Sequence, residues 1–411
     1  MERILFVAPS SYPINGPEAM VNAKHIALLC NAGYSVDLVC RGIRKQNNIY
    51  PSRDSDIHFE KLNSIHVVSV DTNWNIKTIW RHLRTLLKTG YVYRAADWSV
   101  KAIQVCENLL KKRRYDYIFT KDYPSEIVGI YFAKKGIKWI PTWNDPYMWQ
   151  KYPAPYGHGV NYREGIFRRR LIADIGRYAT INIFPSERLK NYMLLYMKNM
   201  KEQKCVIMPH IMLNKESSIL LKKEKNVDRL KIIHAGSIGR ERNPQKCLSA
   251  IKKFVENNPD RKIELMFLGV IQRATDNFLD LLIKQYDLEH IVKFHPPVSY
   301  QESLKIVAKY DICLLIEAPC KEGIFLPSKV VDYLQNKKPI FAISPQNGMM
   351  SDLHKQGIVD YVANVIDVED IYKTLEQAYN DYISGNLLKN KALDKFEEST
   401  IVKLHQTEIL R

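Results

Sequence analysis

Short apolar runs rich in Val, Ile and Leu alternate along the chain with longer segments whose apolar positions recur at helical spacing. Strands are predicted at 4–9, 36–41, 65–70, 117–121, 139–143, 181–186 and 205–210, with helical patterns filling most of the gaps. A polar, Lys-rich stretch at 214–229 stops the alternation, which restarts at Leu230 with strands at 230–236, 263–269, 291–295, 312–317, 339–344 and 359–363. Strands separated by helix-length segments form parallel sheets covered by helices. The pattern predicts an α/β protein of two Rossmann-like doubly wound domains facing across a cleft. The domains are residues 1–213 and 230–384, joined by the linker 214–229 and followed by a helical segment, 385–411, placed to cross back to the first domain. Open α/β sheets bind ligands beyond the carboxyl ends of their strands, so functional residues are sought in those loops.

Composition narrows the class without choosing a chemistry. The 411 residues are 46% hydrophobic and 26% charged, a balance that supports packed cores. No run of about 18 apolar residues occurs, and Met1-Glu2-Arg3-Ile4-Leu5-Phe6-Val7 enters a strand with no signal-peptide core, so a cytoplasmic protein is expected. The seven cysteines are scattered and include no C-x-x-C pair, which fits neither a disulfide framework nor a zinc site. A formal charge of +17 implies an anionic partner: phosphates, an acidic lipid surface or nucleic acid. No zinc-finger, RNP or helix-turn-helix signature accompanies the charge, so nucleic acid is not an expected partner.

Two loops of the second half carry phosphate chemistry. Glu322-Gly323-Ile324-Phe325-Leu326-Pro327-Ser328-Lys329-Val330-Val331-Asp332-Tyr333-Leu334 follows a strand and opens a helix. Pro327 suits a first helical turn, whose free N–H groups and positive dipole end face an anion, with Ser328 and the charge of Lys329 beside it. Asp332, one turn on, is placed to accept from a ribose hydroxyl. An ordinary helix cap with surface charges fits the same residues. Gly236-Ser237-Ile238-Gly239-Arg240-Glu241-Arg242-Asn243-Pro244 lies where a glycine loop lets backbone approach a diphosphate, and Arg242 supplies bidentate charge. Solvated loop arginines fit that loop alone equally well. Both loops follow strands of one predicted domain and can converge on one nucleotide.

These segments resemble the family 4 glycosyltransferases of the GT-B fold, particularly those of bacterial surface-polysaccharide assembly such as lipopolysaccharide or capsule, and the likeness covers nearly the whole chain. In the family's G-R-x-x-x-x-K signature, Gly236 matches the glycine, Ser237 replaces the arginine and Arg242 takes the lysine position. In its E-x7-E signature Asp332 stands for the second carboxylate and Ile324 occupies the place of the first, with Glu322 nearby. The P-S-K-x-x-E-Y-L form of some relatives is closer to Pro327–Leu334. Pro9–Ala19 looks like the family's G-G or G-S-P-E-A loop, with Gly16 as its functional glycine, although a Pro/Gly turn entering a helix fits equally. Trp143-Asn144-Asp145-Pro146-Tyr147 resembles the D-x-R-D-P-W loop, and Asp145 would orient the acceptor or assist its proton transfer. Asp before Pro is also a common turn starter.

The resemblance implies retaining, metal-independent transfer from a nucleotide-diphosphate sugar to an acceptor hydroxyl, with no cofactor and no metal. The acceptor class it implies is a lipid-linked saccharide or another surface-glycan precursor. Asp54-Ser55-Asp56 matches the D-x-D metal pattern of the other large transferase fold but sits in a polar loop with no strand before it. A GT-B-fold sugar-nucleotide epimerase and a non-catalytic transferase-like scaffold are the alternatives, the second because of Ser237 and the missing first carboxylate.

One feature of the first half stands outside the donor chemistry. Ile76, Ile79, Trp80, Leu83, Leu86 and Leu87 repeat at helical spacing, interspersed with Lys77, Arg81, Arg84 and Lys88. Arg163, Arg168, Arg169 and Arg170 surround Ile166 and Phe167 further on. Basic amphipathic helices bearing tryptophan bind anionic membrane surfaces, so Trp80, Arg81, Arg84, Arg168 and Arg169 are candidates for acceptor or membrane contact, with a peripheral place on the inner face of the cytoplasmic membrane. A helix whose apolar side is simply core fits the spacing as well.

Overall fold

The computed structural model describes residues 2–12, 16–42, 59–70, 76–93, 95–213, 229–239, 241–271, 278–387, 391 and 393–410. Two compact units divide the chain. One holds Met1–Tyr152, Gly159–Ile211 and Glu398–Arg411, and the other holds Pro153–His158 and Met212–Glu397.

The first unit is built on β1 (Arg3–Val7), β2 (Ser35–Arg41), β3 (Ser64–Val68), β4 (Tyr117–Lys121), β5 (Lys138–Thr142), β6 (Asn182–Phe184) and β7 (Cys205–Ile207). They form one sheet in the order β3-β2-β1-β4-β5-β6-β7. The second unit is built on β8 (Leu230–Ala235), β9 (Ile263–Leu268), β10 (Val292–His295), β11 (Ile312–Ile316), β12 (Ile340–Ser344) and β13 (Tyr361–Asn364), in the order β10-β9-β8-β11-β12-β13. Every pairing is parallel. Each predicted strand is present, with ends within three residues of those expected, and the two Rossmann-like domains follow from their order.

Continuous apolar runs at the sheet centres are explained by burial on both faces. In the second unit Ile232, Leu265, Leu314 and Phe341 pack with helices Gln245–Asn257 and Val368–Ile383 on one face. Ile233, Leu268, Cys313 and Ala342 pack with helices Lys329–Gln335 and Met349–Lys355 on the other. Six of the seven cysteines are buried and Cys205 is half-buried; all are free thiols.

The last helical turns belong to the first unit. His405 Nε2 lies 2.9 Å from His25 Nε2 in its core, and Asn31 Nδ2 donates to Glu398 Oε1 at 2.8 Å. Burial pushes His405 down to about 4 and, with the charge of Lys121 and the neighbouring His405, holds His25 well below the usual imidazole range. Both rings are therefore neutral. His405 Nδ1 bonds Ile401 O at 3.0 Å, so its Nε2 accepts from the His25 N–H.

Candidate functional site

The second sheet reverses its winding between β8 and β11, and the loops leaving those strands hold most of the residues expected at the donor site. Beyond β8 the chain turns at Gly236, φ +139°, whose N–H donates to Leu268 O at 2.8 Å. A Cβ there would lie 2.6 Å from Lys329 Nζ. A Cβ on Gly269, also at φ +139°, would lie 2.5 Å from Gly236 O. The two glycines thus let the loops after β8 and β9 close on the lysine. Ser237 is half-buried in the same turn.

Two cations meet here. Lys329 Nζ lies 3.3 Å from Nε2 of the fully buried His234. Burial, then the charges of Lys329 and Arg242, hold that imidazole neutral and well below its usual range, so Nε2 accepts from the ammonium. Burial and next the Arg242 charge push Lys329 down to about 7, against the opposing pull of Glu317 and Asp332. Arg242 is fixed by paired backbone bonds with Gly239 at 3.0 and 3.1 Å. Its Nε is 3.8 Å from Oε1 of the buried Glu317, the first residue after β11. Its guanidinium carbon sits 5.7 Å from the ring centre of Tyr156, which meets Phe325 edge-on at 5.4 Å.

The expected helix start shifts. Lys329–Gln335 is seven residues long; Pro327 lies ahead of it, and Ser328, half-buried, takes the N-cap place in helical conformation without capping through its side chain. Tyr333 anchors this helix, its hydroxyl accepting from Ala235 N–H at 2.9 Å. Asp332, expected at a ribose, accepts from the Tyr300 hydroxyl at 2.7 Å.

In the first unit Gly16, φ +146°, stands at the N-cap of helix Pro17–Asn31. Asp145 follows β5, half-buried, and the Tyr152 hydroxyl bonds its carboxylate. It belongs to a polar cluster at the carboxyl ends of β1, β4 and β5. Lys121, almost fully buried, ends β4, and Asp122 beside it turns at φ +64°. Asn22 Nδ2 donates to Asp122 Oδ2 at 2.6 Å and to Ser10 O at 3.0 Å. Burial, then Glu18, which bonds it, holds Asp122 well above the usual carboxylate range. Burial pushes Lys121 down to about 8 against the pull of Asp122 and Glu18. Glu18 also bears on Tyr152. Asp54-Ser55-Asp56 lies outside the described residues. Among the described residues no group of three or more His, Cys, Asp or Glu side chains is arranged to hold a metal ion.

Helix Ile76–Thr89 is turned inside out relative to a core helix. Ile79, Trp80, Leu83 and Leu87 are 63%, 68%, 42% and 79% exposed, whereas Thr78 and Thr85 are buried. Arg81 faces the protein, donating to Thr78 Oγ1 at 3.1 Å and pairing with Asp97 at 3.4 Å; Arg84 is exposed. On helix Ile166–Tyr178, Arg168 pairs with Glu164 at 3.4 Å and lies over the Tyr93 ring at 6.0 Å, while Arg169 points to solvent.

Sequence reasoning missed Glu317, Tyr156, Tyr300 and the Glu18–Lys121–Asp122 cluster. Glu317 had a signal, being the first charge after a wholly apolar strand. Tyr156 had none, since Pro153–His158 lies in the first half of the sequence and in the second unit of the structure.

Residues 217–395 match the model of the family described as glycosyl transferases group 1. No curated protein sequence matches the chain. Among solved structures the chain is similar to sucrose-phosphate synthase from Thermosynechococcus elongatus, at 13% identity and TM-score 0.69 over 99% of this chain and 98% of that one. It is similar to Anabaena HepE in complex with UDP and glucose, at 12% identity and TM-score 0.64 over 99% and 98%. It is also similar to the lipopolysaccharide outer core galactosyltransferase WaaB in its apo form, at 12% identity and TM-score 0.54 over 99% and 96%. Likeness at such identities establishes the fold, and the group 1 match across the second unit supplies the activity class: this chain is a glycosyltransferase of the GT-B fold.

Proposed function

We propose that the protein transfers a sugar from a nucleotide-diphosphate sugar to an acceptor hydroxyl. The observation that carries this reading is the meeting of two cations at the switch point of the second sheet, Lys329 against Gly236 and Arg242 close enough to act on Lys329. A lysine that burial, and next the neighbouring guanidinium, push down to about 7 is matched by a ligand with adjacent negative charges. A diphosphate fits, and its arrival restores the proton on Lys329. Gly236 and Ser237 give it backbone access, Pro327 and Ser328 line the approach, and Asp332 shares its carboxylate between Tyr300 and a ribose hydroxyl. The group 1 match and the likeness to HepE, solved with UDP and glucose, support a nucleotide sugar as donor.

By the family resemblance, transfer retains configuration. The bond from the anomeric carbon to the acceptor oxygen forms on the face from which the phosphate oxygen departs, and that phosphate takes the acceptor proton. Arg242 and Lys329 stabilise the charge on the leaving diphosphate, the part a divalent cation plays elsewhere. Gly16 and Asp145 serve the sugar and the acceptor, Asp145 orienting the reacting hydroxyl. The acceptor is a lipid-linked saccharide or another surface-glycan precursor reached from the cytoplasm, a class the likeness to WaaB supports.

The test is calorimetry of UDP, GDP, ADP, CDP and their common sugars against wild type, Arg242→Ala and Lys329→Ala, all in chelator. One nucleotide class should bind wild type and lose about 10- to 100-fold in each variant. Absence of binding to every nucleotide, or unchanged affinity in both variants, overturns the reading.

A further inference from the structure

The geometry points to a docking surface for an anionic lipid bilayer on the first unit, made by the outward side of helix Ile76–Thr89 and the start of helix Ile166–Tyr178. It draws on the proposed function only for its purpose, bringing a lipid-linked acceptor within reach. The contact itself needs no sugar.

At 3.6 residues per turn, Ile79, Trp80, Leu83 and Leu87 fall on one side of their helix, with Arg84 along its border. That side is exposed, and the opposite one is fastened to the protein by polar groups. There Thr78 and Thr85 are buried, and Arg81 pairs with Asp97 at 3.4 Å and Lys88 with Glu107 at 3.2 Å, both on helix Asp97–Lys112, while the Thr85 and Thr89 hydroxyls are satisfied within their own helix by Arg81 O and Thr85 O. An amphipathic helix in a globular domain ordinarily points its apolar stripe inward, so the inversion needs an apolar phase outside.

A second patch adjoins the first. Arg170 lies over the Tyr91 ring at 6.0 Å and within 3.6 Å of where a Cβ on Gly90 would be, directly after the helix Ile76–Thr89. Ile166 and Phe167, on the first turn of the second helix, are exposed beside Arg169. Exposed apolar side chains bordered by Arg84, Arg169 and Arg170, one of them tryptophan, suit the depth at which lipid headgroups meet acyl chains. Protein interfaces of comparable apolarity exclude charge from their centres. Of the charged residues from 75 to 114, only Asp97 and Glu107 are acidic, and the chain carries +17 overall, which complements phosphatidylglycerol rather than a neutral surface. No described helix is long and apolar enough to cross a membrane, so the contact is peripheral.

Flotation with vesicles of phosphatidylglycerol and phosphatidylcholine, against phosphatidylcholine alone, tests this in the full chain. Wild type should float with the anionic vesicles at low salt and stay behind with the neutral ones. The triple substitution Trp80→Ser, Leu83→Ser, Leu87→Ser should lower vesicle affinity tenfold or more with an unchanged melting temperature, because the side chains lie outside the core. Arg84→Glu with Arg169→Glu should lower it severalfold and weaken its salt dependence. Wild type that fails to float at low salt overturns the inference, as does a triple variant that floats like wild type. So does a wild-type dimer in sedimentation that the triple variant dissociates while neither floats, which assigns the surface to a second copy of the chain.

Discussion

Beyond β1, β4 and β5 the first sheet carries Glu18 and Asp122 around one buried cation, Lys121, with Asp145 joined to them through Tyr152, whereas beyond β8 and β11 the second carries Arg242 and Lys329 around one buried carboxylate, Glu317. The backbone plan of the two ends is alike: parallel strands, a reversal of winding between the central pair, and a glycine turn after the first strand. The charge is opposite. In each end burial, with a like charge beside it, drives a majority-sign group toward neutrality, Asp122 upward and Lys329 downward. Excess carboxylates suit a ligand that donates hydroxyl protons, and excess cations suit phosphates. The fold therefore sets where a ligand goes, and a few residues at the strand ends set which class it is.

The comparison is broken most severely through the backbone. Gly269→Ala places a Cβ 2.5 Å from Gly236 O at φ +139°, and should cost the second unit about 3 kcal/mol in chemical denaturation, with loss of nucleotide binding. A denaturation midpoint within error of wild type would show that the β8 and β9 loops do not depend on that approach.

Next in size is the pH dependence of the basic end. Free Lys329 is charged below about 7, and a bound phosphate favours the charged form. Binding is thus strongest below pH 7, takes up protons, and weakens by up to about tenfold per unit as pH rises further. Calorimetry in buffers of different ionisation enthalpy measures the uptake. Lys329→Arg, charged throughout, should abolish the slope, and a slope that survives would place the titration elsewhere.

The acidic end sharpens the contrast with the smallest effect. Asp122 titrates well above its usual range in the folded protein, so it loses stability as pH rises from about 4 toward its folded value, where the unfolded chain is already ionised. Asn imitates the protonated form and tolerates φ +64°. Asp122→Asn should change stability by less than about 1 kcal/mol in mild acid and gain relative to wild type as pH rises through that window. A constant difference across the pH range would mean that Asp122 is ionised throughout.

The thirteen strands were legible because a parallel strand buried on both faces must be almost wholly apolar, and runs such as Ile312–Ile316 have no other economical fold. The phosphate loops were legible for a related reason: Gly236 and Arg242 are punctuated by local chemistry that survives in one dimension. Asp332 was legible as a carboxylate near the helix start and illegible as the partner of Tyr300, which approaches from another helix. The helix at Ile76–Thr89 was visible as a stripe, yet periodicity has no sign; only the burial of Thr78 and Thr85 and the pairing of Arg81 with Asp97 decided that the stripe points outward.

By itself, then, the sequence determined the alternation of strands and helices, the break between two series and the residue types available at the strand ends, because these rest on local spacing and on burial that each segment needs regardless of its neighbours. Tertiary structure alone decided which charges meet: that Glu317 pairs with Arg242, that Tyr156 from the first half covers the same guanidinium, and that Lys121 is buried among carboxylates. Electrostatic coupling depends on distance through space and on exclusion of water, and neither quantity is written along the chain.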